Sequence, residues 1–361
     1  MAVKTQKKPQ TQPAKKAAPR SSQTIPVTLI PGDGIGTEVT EATLAVLEAV
    51  GAPFTYEWHL AGVAGLKEKG DPLPKETIES IRKTRLALKG PLATPVGGGF
   101  RSSNVRLREE FHLYANLRPA RTLIPGGRYE NIDLILVREN LEGLYVGFEH
   151  YIPVGDDPHA VALASGVNTR AGGRRICEFA FDYAVKHNRR KVTLVHKANV
   201  LKALTGLFLE TGKEVAKKYE SKGITCDERI IDACAMQLVM NPYQFDVIVT
   251  TNLFGDILSD LNAGLVGGLG MAPAGNIGKD AAIFEAVHGS APDIAGKGIA
   301  NPLALMLSAA MMLDHVGQQE KAKAVQKAVD DVLLKDKVRT GDLGGKATTK
   351  QFTQAVVARL K

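Results

Sequence analysis

Asp256 and Asp260 stand four residues apart in the run Thr250-Thr251-Asn252-Leu253-Phe254-Gly255-Asp256-Ile257-Leu258-Ser259-Asp260. Around them Leu253, Ile257, Leu258, Leu261 and Leu265 recur at helix spacing. On a helix the two carboxylates share one face and repel, and this helix carries no basic residue to offset them. A divalent cation would offset them, since Mg²⁺ and Mn²⁺ take hard carboxylate oxygens and leave room for a substrate oxygen. The residues also fit a simpler part, with Asp256 capping the helix and Asp260 solvated. The stretch alone supports either.

Arginines form the second group. Gly97-Gly98-Gly99 leads into a helix pattern whose first turn presents Ser102 and Asn104, both able to cap a helix or to donate to a carboxylate. Arg101, Arg108 and Arg118 follow, and Arg138 closes an apolar strand pattern. A guanidinium ending a buried strand needs an anion and matches a carboxylate at two points. Glu109, Glu110, Glu139 and Glu142 offer internal partners for each one; jointly the arginines predict a small polyanionic substrate.

Three further residues have two readings each. Tyr145 lies in an extended run between Gly143 and Gly147, open to a ligand or packed like most strand tyrosines. Lys197 ends the strand pattern Val195-His196, where lost solvation can prepare a lysine for proton transfer or where it is merely exposed. Asp232 follows Ile230-Ile231 as a ligand donor or a helix N-cap. From Val287 to Pro302 small residues would let the backbone wrap a nucleotide, with His288 against an adenine. Asp293 there could accept from a ribose diol and repel a 2′-phosphate.

These residues sit on an alternation of strand and helix patterns. Strand-like runs fall at 27–30, 54–59, 86–88, 132–138, 143–148, 160–169, 191–196, 224–231, 245–250 and 281–287. Helix-like runs fall at 37–50, 75–84, 103–111, 173–188, 200–220, 233–241, 253–266, 302–316, 320–335 and 349–360. The alternation predicts an α/β protein with a largely parallel sheet, and the 143–169 region a hairpin arm. The glycines of Pro31-Gly32-Asp33-Gly34-Ile35-Gly36 are not spaced as a dinucleotide fingerprint, and a tight strand-to-helix turn explains them equally well.

At 361 residues two domains are the natural expectation. The net charge of +8 comes mostly from residues 1–23, where Lys4, Lys7, Lys8, Lys15, Lys16 and Arg20 stand without an acid. The remaining 40 basic and 38 acidic residues nearly cancel, which excludes a nucleic-acid partner for the body of the chain. The first segment reads as a disordered basic arm, with a mitochondrial transit peptide as the alternative and a cytoplasmic protein as the expectation. Cys177, Cys226 and Cys234 form no C-x-x-C pair, so a reduced compartment and no zinc site are expected. No apolar run is long enough for a bilayer.

Taken together, IPGDGIG, RENLEGLYVG, VHKANVLK, NLFGDILSD and VHGSAPDIAGKGIANP stand in the order of a known family. From Ile25 onward the chain resembles the β-decarboxylating dehydrogenases, which include the isocitrate, isopropylmalate and homoisocitrate enzymes. The resemblance implies a two-domain α/β fold distinct from the Rossmann fold. Residues 24–114 and 268–361 would form a large domain and 115–267 a small one, with the hairpin arm in a dimer interface. Asp256 and Asp260 would hold Mg²⁺ or Mn²⁺, with Asp232 reaching in from a second copy; this favours the metal reading. Tyr145, Lys197 and Asp232 match catalytic positions, with Lys197 also from the second copy. Ser102, Asn104, Arg108, Arg118 and Arg138 match substrate positions. Thr94, Asn199, His288, Gly289, Ser290, Ala291, Asp293, Ile294 and Asn301 match cofactor positions.

Within the family the Ser102 helix selects the substrate. Arg101-Ser102-Ser103-Asn104, with Leu107-Arg108, is similar to the S-x-N-x-x-L-R pattern of isocitrate dehydrogenases. A greasy substrate would leave Ser102 and Asn104 unpaired, so isocitrate is expected, with homoisocitrate the nearest competitor and isopropylmalate further back. Asp293-Ile294 stands where NADP enzymes carry Lys-Tyr, so NAD is expected. A non-catalytic regulatory subunit is the rival reading, and it is opposed by the survival of Tyr145, Lys197 and all three aspartates. A homodimer or higher homo-oligomer with shared active sites is expected, with no membrane partner.

Overall fold

The computed structural model describes residues 24–94 and 101–361; the basic arm and Gly97-Gly98-Gly99 lie outside them. Strands β1 (Ile25–Ile30), β2 (Phe54–Trp58), β3 (Leu86–Lys89), β4 (Ala115–Arg121), β5 (Asp133–Glu139) and β6 (Gly143–Val154) come first. They are followed by β7 (Asp157–Val167), β8 (Lys191–His196), β9 (Thr225–Ile230), β10 (Val247–Thr250), β11 (Pro273–Ile277) and β12 (Ala282–Ala286). The α-helices are α1 (Gly36–Ala49), α2 (Gly62–Lys69), α3 (Lys75–Thr84), α4 (Ser103–Glu110), α5 (Arg170–Lys186) and α6 (Leu204–Ala216). The last are α7 (Ile231–Met240), α8 (Asn252–Val266), α9 (Leu303–His315), α10 (Gln319–Asp331) and α11 (Thr349–Leu360).

Ten strands form one sheet in the order β2-β1-β3-β12-β11-β4-β5-β10-β8-β9, and β6 with β7 forms a separate two-stranded arm. Six of the nine pairings in the large sheet are parallel; the three in the middle, β12-β11, β11-β4 and β4-β5, are antiparallel. The sheet is therefore mixed, parallel over most of its width as expected and antiparallel at its centre. The sequence pattern showed neither β4 nor β11, because Ala115-Asn116-Leu117-Arg118-Pro119-Ala120-Arg121 and Pro273-Ala274-Gly275-Asn276-Ile277 lack a β-branched apolar run. Helix α2 was also absent from it, being short and Gly- and Lys-rich.

Strand periodicity explains where the cleft lies. On one face, Val27, Leu29, Leu86, Leu88, Phe284, Ala115, Val137, Val249 and Leu194 belong to one continuous core that packs under α1, α5, α6, α9 and α11. The alternate residues point to the opposite face, and there the core is split in two. Ile30, Ala87 and Ile283 pack with Ile81 and Leu107 of α3 and α4. Leu134, Leu136, Ile248 and Val195 pack with Cys234, Leu238 and Leu258 of α7 and α8. Between these two cores the same face carries Lys89, Glu285, Asn276, Asn116, Arg118 and Arg138. Hydrophobic side chains thus close one side of the sheet throughout, and the other only at its flanks. The arginines and Asn116 occupy the central antiparallel strands between them.

Candidate active site

Helix α8 brings both candidate metal ligands to the cleft. It begins at Asn252 with Thr251 as N-cap and no side-chain cap, so Asp256 does not cap it. Arg138, almost fully buried, donates to Asp256 Oδ1 and, through Nε and Nη2, to Asn252 Oδ1 at 3.0 and 2.7 Å. Arg118 lies 3.7 Å from Asp256 and 3.8 Å from Asp260, and also donates to Ser259. The cationic offset missing from the helix itself therefore arrives from β4 and β5. Tyr145, on the arm's first strand, donates its hydroxyl to Asp256 Oδ2 and stacks beneath Arg138, whose Cζ lies 5.2 Å from the ring centroid.

Three guanidiniums in one cleft set its electrostatics. Burial lowers the pKa of Arg108, and that of Arg118 to about 10, with the neighbouring arginines adding to the shift. This crowding of positive charge favours an anion with several carboxylates. Burial opposes the charge on Asp256, yet Arg138, the Tyr145 hydroxyl and Arg118 outweigh it and hold its pKa down. Asp260 goes the other way, raised by burial against the pull of Arg118 and with a push from Asp256. Tyr145 is raised by burial and by its bond to Asp256, so its proton stays on the oxygen near neutral pH. A divalent cation between the two carboxylates would hold both ionised.

Gly255 lets Arg138 pass. A Cβ there would sit 2.4 Å from Arg138 Cγ and 2.7 Å from its Cβ. Gly255→Ala should favour the helix by about 1 kcal/mol on propensity alone. We expect instead a roughly tenfold or greater rise in KM for a carboxylate substrate and a lowered melting temperature, because the buried arginine must shift from its root. Steady-state kinetics beside a thermal melt checks this; an unchanged KM would remove Arg138 from the binding site.

On the other wall, α4 carries Ser102 at its N-cap, Asn104 and Arg108. Asn104 Oδ1 and Arg108 Nε are buried and find no partner among the described residues, and their side chains border a small cavity of about 10 Å³ with Lys89 and Glu285. Thr94 donates to Ser102 Oγ at 3.3 Å, which ties the cofactor candidate to the substrate helix.

Lys197 and Asp232 are brought together elsewhere. Asp232 sits in the first turn of α7, one residue past the helix start at Ile231, and accepts from Lys197 Nζ at 2.5 Å. That hydrogen bond lowers its pKa. Among the described residues no three His, Cys, Asp or Glu side chains converge on a metal-sized point. Within one chain, Asp232 therefore does not join Asp256 and Asp260.

The cofactor candidates line a loop braced by the opening turn. Gly32 and Gly34 have φ of +84° and +57°, and a Cβ on Gly34 would lie 2.0 Å from Ser290 O, so only glycine fits. Ile35 N donates to Ser290 O at 2.9 Å, while Asp33 accepts from Val63 N at 2.9 Å and from Ala93 N at 2.8 Å. The turn braces two loops, which accounts for its glycines without a phosphate. His288 Nε2 is buried and has no partner among the described residues, Ala291 adopts φ +37°, and Gly289, Asp293 and Asn199 are exposed. Ile294 is partly buried against the main core. Asn301 is already engaged, donating to Asp342 at 2.9 Å and accepting from Leu303 N at 3.0 Å. The sequence reading missed Asp33, Lys89, Glu285 and Ser259. Lys89 and Glu285 carried the same signal as Arg138, a charge closing an apolar strand.

The sheet is closed by apolar side chains on one face and carries, on the other, three largely buried arginines beside two carboxylates, a charge pattern suited to a small polyanionic acid. The chain belongs to the isocitrate/isopropylmalate dehydrogenase family, whose model matches residues 26–356, and is thus a β-decarboxylating dehydrogenase. It is 51% identical over 339 residues to an isocitrate/homoisocitrate dehydrogenase of Thermus thermophilus, covering 93% of this chain and 98% of that one. It is 48% identical over 343 residues to catalytic subunit 5 of the mitochondrial NAD isocitrate dehydrogenase of Arabidopsis thaliana, covering 94% and 90%. The crystal structure of isocitrate dehydrogenase from Methylococcus capsulatus superposes with a TM-score of 0.89 at 52% identity, over 93% of this chain and 99% of that one. Among the described residues no helix is long and apolar enough to cross a membrane.

Proposed function

We propose that this protein oxidises and decarboxylates isocitrate to 2-oxoglutarate with reduction of NAD. The observation that carries the substrate is the wall of α4, where Ser102 and Asn104 face a cleft already holding Arg108, Arg118 and Arg138. A substrate with three carboxylates matches that count of donors. Homoisocitrate is the second reading, since one added methylene changes binding modestly and a relative's name includes it.

The residues present fit the expected groups. Asp256 and Asp260 supply hard oxygens for Mg²⁺ or Mn²⁺, and Asp232 of a second copy would complete the set. The exposed Asp293 and the unpaired, buried Nε2 of His288 suit a ribose diol and an adenine, hence NAD. When bound, the cation supplies positive charge beside the C2 oxygen and the nicotinamide accepts the hydride.

The chain's own groups do the rest. The arginines hold and orient the carboxylates. Asp232, or Lys197 hydrogen-bonded to it, takes the C2 hydroxyl proton. After CO₂ leaves, the Tyr145 hydroxyl delivers a proton to carbon, which its raised pKa keeps available. A second copy is needed because Lys197 and Asp232 lie apart from Asp256. Exposed apolar residues flank both clusters, Val200, Met236 and Met240 on one side and Ile257 on the other, with Phe148, Tyr151 and Val154 on the arm. Such patches mark a protein interface.

Initial rates with Mg²⁺, crossing isocitrate, homoisocitrate and isopropylmalate against NAD and NADP, test this. We expect isocitrate with NAD to give the highest kcat/KM. Preference for another acid would overturn the substrate assignment, and preference for NADP the role of Asp293.

A further inference from the structure

We propose that Asn276 is a positioning residue for Arg118, the centre of a directional chain of amides that runs across the sheet from Glu285 to the substrate guanidinium. This rests on the reading of Arg118 as a substrate ligand. The links are all short. Asn276 Nδ2 donates to Glu285 Oε1 at 2.6 Å, and Asn276 Oδ1 accepts from Asn116 Nδ2 at 3.0 Å. Asn116 Oδ1 then accepts from Arg118 Nε at 3.1 Å. Asn276 and Asn116 face each other in register across β11 and β4, and Asn116 faces Arg138 across β4 and β5.

The ends fix the direction of every link. A carboxylate only accepts and a guanidinium only donates. Glu285 is kept ionised, its pKa pulled down to about 2 against burial by Lys89, 2.6 Å away, and by Arg108. It therefore turns the NH₂ of Asn276 toward itself, which turns Oδ1 of Asn276 toward Asn116. Asn116 must then present its own oxygen to Arg118. Nε of Arg118 is thus held by Asn116 and Nη1 by Ser259, which fixes the guanidinium with Nη1 3.7 Å from Asp256 and 3.8 Å from Asp260.

A row of buried amides is costly unless each is paired, and apolar residues would fill the same space without that demand. What the row supplies is a fixed guanidinium. Asn140 is a side branch: its Nδ2 donates to Asn276 Oδ1 at 3.0 Å and to Leu113 O at 2.9 Å, without touching Arg118. Lys89 and Arg108 are the charges that face Glu285. His288 lies beyond Lys89, and Arg138, Tyr145, Asp256 and Asp260 lie beyond Arg118.

Asn276→Asp tests the direction. Two carboxylates at hydrogen-bond distance hold one proton between them, and in that state the new hydroxyl still donates to Glu285. The pair's raised pKa means the proton is present at low pH and lost as pH rises, after which repulsion breaks the row. We expect kcat/KM for the acid substrate within about threefold of wild type near pH 6, falling at least about tenfold below it by pH 9, with the change in KM. Asn116→Ala should raise KM about tenfold at every pH, and Asn140→Ala should lower melting temperature without moving KM. A profile parallel to wild type in Asn276→Asp, or an unmoved KM in Asn116→Ala, would overturn the proposal. If Asn276→Asp does not fold, Asn276→Ala takes its place: a KM raised as in Asn116→Ala is expected, and an unmoved KM would overturn the proposal. Preference of the wild type for another acid would overturn the isocitrate reading, and the chain of amides would then be scored on that acid.

Discussion

Asp256→Asn should lower kcat by about a thousandfold or more while leaving a folded protein. Two observations set that magnitude. The carboxylate is the common partner of Arg138, Arg118 and Tyr145, so its charge balances two guanidiniums and anchors the proton donor. It is also one of two hard-oxygen donors on this face of α8, and an amide is a far weaker ligand for Mg²⁺ or Mn²⁺. The fold survives because Arg138 keeps both bonds to Asn252 and Asp256 itself is partly exposed. The checks are kcat, a thermal melt and Mn²⁺ binding by titration calorimetry. Loss of Mn²⁺ binding with an intact melt is expected. Activity within tenfold of wild type would mean that Asp256 is only the counter-ion of Arg138.

Much of this site was legible in the sequence, for a physical reason. Charged residues that end apolar strands, such as Arg138 and Lys197, break a pattern that burial otherwise enforces, and that break is visible without coordinates. Asp256 and Asp260 were visible because helix spacing put two like charges on one face. The middle of the sheet was not legible. Strands β4 and β11 carry Asn116, Arg118 and Asn276 on their cleft face and have proline within or at their start, so the residues that serve the site erase the strand signature. The antiparallel centre of the sheet was lost with them. The offset of the aspartate pair by Arg118 and Arg138 was hidden as well, since it comes from strands more than a hundred residues away in the chain.

Lys197→Met should also be inactive, and mixing it with Asp256→Asn should restore activity. In one chain, Lys197 pairs with Asp232 while Asp256 pairs with Arg138 and Tyr145, so under the proposed shared site each chain would carry two incomplete halves. In a two-fold dimer each site joins the Asp256 half of one copy to the Lys197 half of the other. A heterodimer of the two variants then places both lesions in one site and leaves the second site intact. We would co-express differently tagged copies, isolate the heterodimer by two affinity steps and measure NAD reduction with isocitrate and Mg²⁺. The predicted result is about half the wild-type rate per dimer, from two parents that are each inactive. A heterodimer as inactive as its parents would contradict a site shared between subunits.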